Sequence, residues 1–355
     1  MDQRETSRAD AGQSVAHELR AAAPSEQVDV VVVGGGAAGL AAAVALARSR
    51  RSVVVVDEGE PRNAPAGHVH NYLGRENVRP AELLASGREE ARSYGADVRS
   101  GRVVDVRPLG TDGDEPAFRV ELADGGSLDC RRVVVATGLV DELPPVDGLA
   151  ERWGNDVLHC PYCHGYEVRD RRIAVLATGP AAAHQALLFR QLSDDVVVLQ
   201  HTAPTFADEV LEQFAARGIR VVEAEVVGLE LGEHAGERAL SGVRCADGSL
   251  VGCDALVVAP RFTARASMLG GLGLTADDLV VAGHVLGSAV ASDGTGATRV
   301  PGVHVAGNVT DLRAQVAAAA AAGLLVGANV NAELVQEDTR RAVAAQRLAG
   351  RPVSA

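Results

Sequence analysis

Cys160 and Cys163 stand two residues apart in the stretch HCPYCHG (159–165), with His159 before the pair and His164 after it. A C-x-x-C can supply half a zinc site, staple a loop, or exchange electrons as a dithiol and disulfide. Zinc takes four protein ligands in structural sites, or three plus water in catalytic ones. Two cysteines and two histidines within six consecutive residues are too crowded to wrap one ion tetrahedrally, so no metal is expected. Cys130, Cys245 and Cys253 have no partner spacing; each ends or flanks a strand, where packing is the expected role. Redox exchange is the favoured chemistry. It needs a thiolate: a thiol with a pKa of about 8.5 is only ~3% ionised at neutral pH, and lowering it to about 7 makes that half. A helix opening at Cys160 supplies part of such a shift through its dipole and free N–H groups. A neutral imidazole at His164 can take a thiol proton near pH 7. The plainer alternative is that His164 only caps a helix, and His159 is read as structural.

These residues must be positioned by a chain of 355 residues, enough for two domains with separate cores. It carries 34 basic and 47 acidic residues, a net charge of −13, which argues against nucleic-acid and membrane partners. Every basic residue is arginine, so phosphate-loop and Schiff-base lysine chemistries are excluded. Residues 1–27 are polar and Ala-rich without a secretory core and read as a disordered tail. Of two apolar runs, Val28–Ala47 is broken by GGGAAG, and Ala314–Val330 suits a helix buried against a protein core. The protein is expected to be cytoplasmic, where lasting structural disulfides are rare.

The run Val28–Val33 reads as a strand, followed by Gly34, Gly36 and Gly39 in G-x-G-x-x-G order, a small-residue helix, and a second strand, Val53–Val56, closed by Asp57. This is a dinucleotide-binding pattern, with the pyrophosphate placed on the helix N-terminus and Asp57 toward a ribose. Two later strands, in CRRVVVATGL (130–139) and RVPGVHVAGNVTD (299–311), return to the same domain. Between them, residues 171–201 repeat strand, turn, helix and strand. The expected fold is α/β, with two Rossmann-like nucleotide-binding domains, the second inserted into the first. Residues 28–142 and 265–335 form the outer domain, 143–264 the insert carrying the cysteine pair, and 336–355 a C-terminal tail. DELPPVDG (141–148) marks entry to the insert and APRFTARASM (259–268) its exit.

From about Val28 to Val335 this order resembles the low-molecular-weight thioredoxin reductases, a family of flavoproteins. The resemblance implies FAD in the outer domain, held by Gly34, Gly36, Ala38, Gly39, Asp57, Glu58, Asn63 and Val103, and by Thr137 and Gly138 of the Ala-Thr-Gly segment. HVHNYLG (68–74) resembles the family's Asn-aromatic-Pro-Gly loop, with Leu73 in the proline's place and Asn71 beside the flavin. Gly307 and Asn308 match a Gly-Asp pair, and the amide can still accept through its carbonyl oxygen. Gln315 opens the last helix, near the reduced flavin's charge. By the same pattern Cys163 faces the flavin, Cys160 faces the substrate, and the protein is a homodimer.

Two departures stand out. Cys-x-x-Cys-Asp-Gly is the ordinary bacterial pattern, and His164 replaces the acid. In the insert, Ala177-Thr178-Gly179-Pro180-Ala181-Ala182 replaces a Gly-x-Gly-x-x-Ala nicotinamide turn, and His201 and Thr202 stand where NADPH-using members carry paired arginines. Both features resemble the small-molecule dithiol oxidases of natural-product pathways, the gliotoxin and holomycin type, which pass electrons from a dithiol through the cysteine pair and FAD to dioxygen. Two other readings stay open: a disulfide reductase fed by NADPH or a ferredoxin, and a flavin-binding sensor without turnover. The substrate is not identified by the sequence.

Overall fold

The computed structural model describes residues 25–110, 115–234, 236–281 and 283–349. The chain opens with β1 (Glu26–Val33), α1 (Ala37–Arg48), β2 (Val53–Asp57), α2 (Pro80–Ser93), β3 (Asp97–Ser100), β4 (Val103–Pro108), β5 (Phe118–Leu122), β6 (Ser127–Val135) and β7 (Leu139–Glu142). A second unit follows: α3 (Leu149–Arg152), β8 (Val157–Leu158), α4 (Pro161–His164), β9 (Ile173–Leu176), α5 (Ala181–Phe189), β10 (Val196–Leu199), α6 (Asp208–Ala216), β11 (Arg220–Val222), β12 (Val226–His234), β13 (Glu237–Cys245), β14 (Leu250–Gly252) and β15 (Ala255–Val258). The chain then returns through β16 (Arg261–Ala264), β17 (Ala276–Val281), β18 (His284–Val290), β19 (Val303–Val305) and α7 (Val316–Leu348).

The first sheet has the order β3-β2-β1-β6-β5-β4, with β19 added beside β6. Its central strands are almost pure valine because both faces are covered. Val31, Val33, Val54, Val56, Val133 and Val135 pack on one side, and Val30, Val32, Val53, Val55 and Val134 pack against α1 and α7 on the other. The second parallel sheet, β11-β10-β9-β15-β8, lies wholly in the inserted unit, and its β12-β13-β14 hairpin layer covers one face through Val226, Leu240 and Val243. The two strand–helix–strand units expected from the sequence are therefore present, one nested in the other.

Three boundaries differ from the sequence expectation. Glu26 and Gln27 are not tail residues, since they pair with Leu128 and Asp129 of β6; the rest of the expected tail, up to 24, lies outside the described residues. Arg261–Ala264 pairs with β7 and with β18, so it belongs to the outer unit rather than the insert. The largest difference is at the C-terminus: α7 runs to Leu348, through most of the expected 336–355 tail. Buried positions 319, 323, 326, 327, 330, 334 and 337 recur at helical spacing, one stripe held against the protein. Gly323 and Gly327 permit the approach to α1, since a Cβ at Gly323 would meet the Ala38 carbonyl oxygen at 2.0 Å. By length and apolarity α7 could cross a membrane; here it packs along α1 through these glycines.

Glu337 explains why the helix continues. It is fully buried, with its carboxylate 2.8 Å from guanidinium nitrogens of Arg131, Arg132 and Arg341. Glu337→Ala removes the carboxylate that Arg131 and Arg132 share while Asp29, Asp338 and Glu333 still face them, and is expected to destabilise the protein by about 1.5–3 kcal/mol. Urea denaturation reads this, and an unchanged midpoint contradicts the structural role of the cluster.

Candidate active site

The Gly-rich turn joins β1 to α1. Gly34 has φ +101°, and a Cβ there would lie 2.5 Å from the Ala136 carbonyl oxygen, so only glycine fits. At Gly39 a Cβ would strike the Gly34 carbonyl; this glycine serves the close contact of helix and turn. Gly36 is different: space beyond its Cα is open. That opening at the N-terminus of the 12-residue α1 is where a pyrophosphate can meet free backbone N–H groups. Asp57, at the end of β2, accepts a hydrogen bond from the Gly35 N–H at 3.0 Å, so one carboxylate oxygen fastens the turn itself. Glu58 lies 3.7 Å from Arg102 and is half exposed.

A cavity of about 1600 Å³ runs from this turn to the cysteine pair. It exceeds the ~300–1,000 Å³ common for small-ligand pockets and gives a dinucleotide room beside a substrate. Gly34, Gly36, Ala38, Asp57, Glu58, Asn63, Val103, Thr137, Gly138, Gly307, Asn308 and Gln315 all line it, as do Cys160, Cys163 and His164. Gly39 and Asn71 do not. Asn71 sits in the left-handed region (φ +57°), and its Nδ2 donates to the Tyr162 carbonyl at 2.5 Å, so it ties the 68–74 loop to α4. Asn308 is also committed: its Nδ2 donates to the carbonyls of Asp311 and Ala314, both at 2.9 Å, which shapes the turn before α7. Its Oδ1 faces Arg62 at 3.4 Å, and Arg62 is held by two bonds to Asp141 at 2.7 and 2.8 Å. Arg62 was not singled out by the sequence, because nothing local connects it to positions 141 and 308. The long cavity, the open face at Gly36 and the glycine-backed turn fit an FAD.

Cys160 and Cys163 form a disulfide with their Cα atoms 5.2 Å apart, and both are half-buried. The expected helix is a single turn, Pro161–His164, followed by a 3-10 turn at Tyr166–Val168. With so short a helix, the dipole is a smaller influence than the sequence pattern implies. Direct contact replaces it: Cys163 N–H donates to Cys160 Sγ at 3.2 Å. Gln315 Nε2, at the start of α7, lies 4.0 Å from the same sulfur. Burial pushes the Cys130 and Cys253 thiols up to about 12, so these two are unreactive packing residues.

Burial lowers the pKa of His164, with Glu167 opposing and His70 reinforcing the shift. Its ring is neutral at pH 7, and Nε2 is buried with no hydrogen-bond partner among the described residues. His159 is built into the fold: Nδ1 donates to the Val258 carbonyl at 3.1 Å, and the ring meets Phe262 edge-on. Sequence reasoning missed His70, whose ring centroid is 6.4 Å from that of His164. The two are brought together only by tertiary structure.

In the inserted unit, Ala177 is fully buried with its N–H donated to Leu199, and Pro180 occupies the cap position of α5. His201 adopts φ +43°, and its Nδ1 accepts the Val226 N–H at 3.2 Å; burial lowers its pKa, so it is neutral.

The family description that matches residues 28–323 is pyridine nucleotide-disulphide oxidoreductase. Thioredoxin reductase tcpT of Claviceps purpurea is 30% identical over 256 residues, covering 70% of this chain and 78% of its own. Thioredoxin reductase sirT of Leptosphaeria maculans is 29% identical over 308 residues, covering 83% and 90%. Among solved structures, HlmI superposes with a TM-score of 0.84 at 44% identity, covering 91% of this chain and 97% of that one. An oxidoreductase from Agrobacterium tumefaciens superposes with a TM-score of 0.78 at 32% identity, covering 87% and 99%. The chain therefore belongs to the pyridine nucleotide-disulphide oxidoreductase family, as a disulfide-bearing flavoprotein that binds FAD on a thioredoxin reductase fold.

Proposed function

We propose that the protein is an oxidase, which converts a small-molecule dithiol into its disulfide through Cys160 and Cys163, with dioxygen as the final acceptor and hydrogen peroxide as co-product. The observation that carries this reading is His164, which lines the cavity that holds the disulfide. Its Nε2 is buried with no hydrogen-bond partner among the described residues, while burial lowers its pKa and so favours the neutral ring. Oxidation of a dithiol begins by removing a proton, and a neutral ring accepts one.

His164 takes the proton of the first substrate thiol. The thiolate attacks Cys160 Sγ, the Cys160–Cys163 bond breaks, and Cys163 leaves as a thiolate. The second substrate thiol, once deprotonated, attacks the substrate sulfur bound to Cys160. Substrate disulfide departs, and both cysteines are left reduced. Charge appearing on Cys160 Sγ meets the Cys163 N–H, a hydrogen bond that strengthens as its acceptor ionises. Bound FAD supplies a two-electron acceptor in the same cavity. In the homodimer expected from the family, each subunit carries its own pair.

A disulfide reductase is the second reading, favoured by the names of the tcpT and sirT relatives. Against it stand Pro180, which has no N–H to offer a phosphate at the start of α5, and His201, which presents no fixed positive charge. With dithiothreitol as a generic dithiol, the purified yellow protein is expected to consume one dioxygen per disulfide formed and to release peroxide. Flavin bleached by the dithiol under argon but reoxidised by air no faster than free reduced flavin would remove the oxidase assignment.

A further inference from the structure

Two thiols must be deprotonated in each turnover, and a neutral imidazole such as that of His164 accepts one proton. We propose that His70, held by Glu76, is a positioning and proton-accepting residue that empties His164 between the two deprotonations; this rests on the dithiol-oxidising reading above.

The loop after residue 67 doubles back on itself. Val69 N–H donates to Val78 at 2.8 Å and Asn77 N–H to Val69 at 3.1 Å, which sets His70 against Glu76. His70 Nδ1 lies 2.6 Å from Glu76 Oε1, and its Nε2 lies 3.5 Å from Glu167 Oε1. The Asn71–Tyr162 bond fastens this loop to the helix that bears the cysteines, so the two imidazoles keep their relation. His164 meets His70 edge-on at 87°, with ring centroids 6.4 Å apart, so the two imidazoles are immediate neighbours. The groups facing His70 are His68 on its own loop at 6.3 Å between centroids, Glu76 across the loop, Glu167 from the 3-10 turn and His164 from α4. His70 itself is mostly covered, with a side chain 13% exposed, whereas Glu76 and Glu167 are 60% and 43% exposed. A proton arriving at His70 thus meets two carboxylates that open onto solvent.

The first substrate thiol gives its proton to His164 as its sulfur bonds to Cys160 and the Cys160–Cys163 bond breaks. That proton passes to His70, where the carboxylates offset the imidazolium charge. The second thiol then gives its proton to the emptied His164 as the substrate disulfide closes and Cys160 is released. Two electrons now reside on the cysteine pair and two protons on the imidazoles. All four leave when dioxygen becomes hydrogen peroxide.

The test uses the full-length flavoprotein and its His70→Gln and Glu76→Gln variants, with dithiothreitol as donor under argon and flavin absorbance as the signal. His70→Gln is expected to lower the limiting rate about tenfold below about pH 7, with the half-saturating dithiol concentration unchanged and the loss shrinking at alkaline pH, where solvent takes the proton. Glu76→Gln is expected to act in the same direction but more weakly, and added imidazole should restore much of the rate of a His70→Gly variant. A second measurement needs no substrate: in chemically reduced protein, His70→Gln should slow iodoacetamide alkylation of Cys160 several-fold at mildly acidic pH. A loss equal at every pH, or unrescued by imidazole, would mean that His70 is only structural; wild-type rates in both assays overturn the proposal. Oxygen uptake by the wild type reports separately on the oxidase reading.

Discussion

NADPH and NADH, even at millimolar concentration, are expected to leave the flavin of this protein oxidised over the time in which a small dithiol bleaches it. The inserted unit has the strand–helix–strand frame of a nucleotide-binding domain, with Ala177 and Pro180 in its turn. Ala177 fills the place of a turn glycine and is fully buried, and Pro180 removes an N–H at the start of α5. His201 is neutral, and its Nδ1 is spent on the Val226 N–H, so it cannot offer a charged donor to a 2′-phosphate. Losing two charge-assisted contacts at about 1.5–3 kcal/mol each weakens binding roughly 150-fold or more. Stopped-flow absorbance under argon, with each donor in turn, reads the outcome. Fast bleaching by NADPH would return the protein to the reductases.

His164→Ala is expected to slow dithiol-driven flavin reduction by roughly 10²-fold or more, the scale of a lost general base. The pH profile separates this from a packing defect. Burial lowers the pKa of His164, so the wild-type base form survives into mildly acidic solution. The wild-type rate should therefore rise with pH through that lowered value and then level off. In His164→Ala only the thiol's own ionisation remains, and the rate should keep rising toward the thiol pKa of about 8.5. Coincident profiles in the two proteins would assign His164 to capping alone.

Much of this site is local in sequence. Gly34, Gly36 and Gly39 lie on one turn, and Cys160, Cys163 and His164 lie on another. Their chemistry depends on short-range backbone geometry, so spacing is enough to show it. The doubly wound order of strands follows from runs of valine buried on both faces, which leave few alternatives. Spacing was a poorer guide at the edges. Arg261–Ala264 reads as the end of the insert but pairs with β7, and residues 336–348 read as a tail but continue α7.

What the sequence by itself determined is the frame: two nucleotide-type units, a glycine cradle at the first, and a cysteine pair with an imidazole in the second. Tertiary structure decided which distant residues meet. Arg62 reaches Asp141 and Asn308, Asn71 binds the Tyr162 carbonyl, and His70 comes edge-on to His164. Glu337 becomes buried because Arg131, Arg132 and Arg341 converge on it. The physical reason is common to these cases. A side chain's hydrogen bonds and charge partners depend on distances across the folded chain, whereas strand and turn propensities act over a few neighbouring residues.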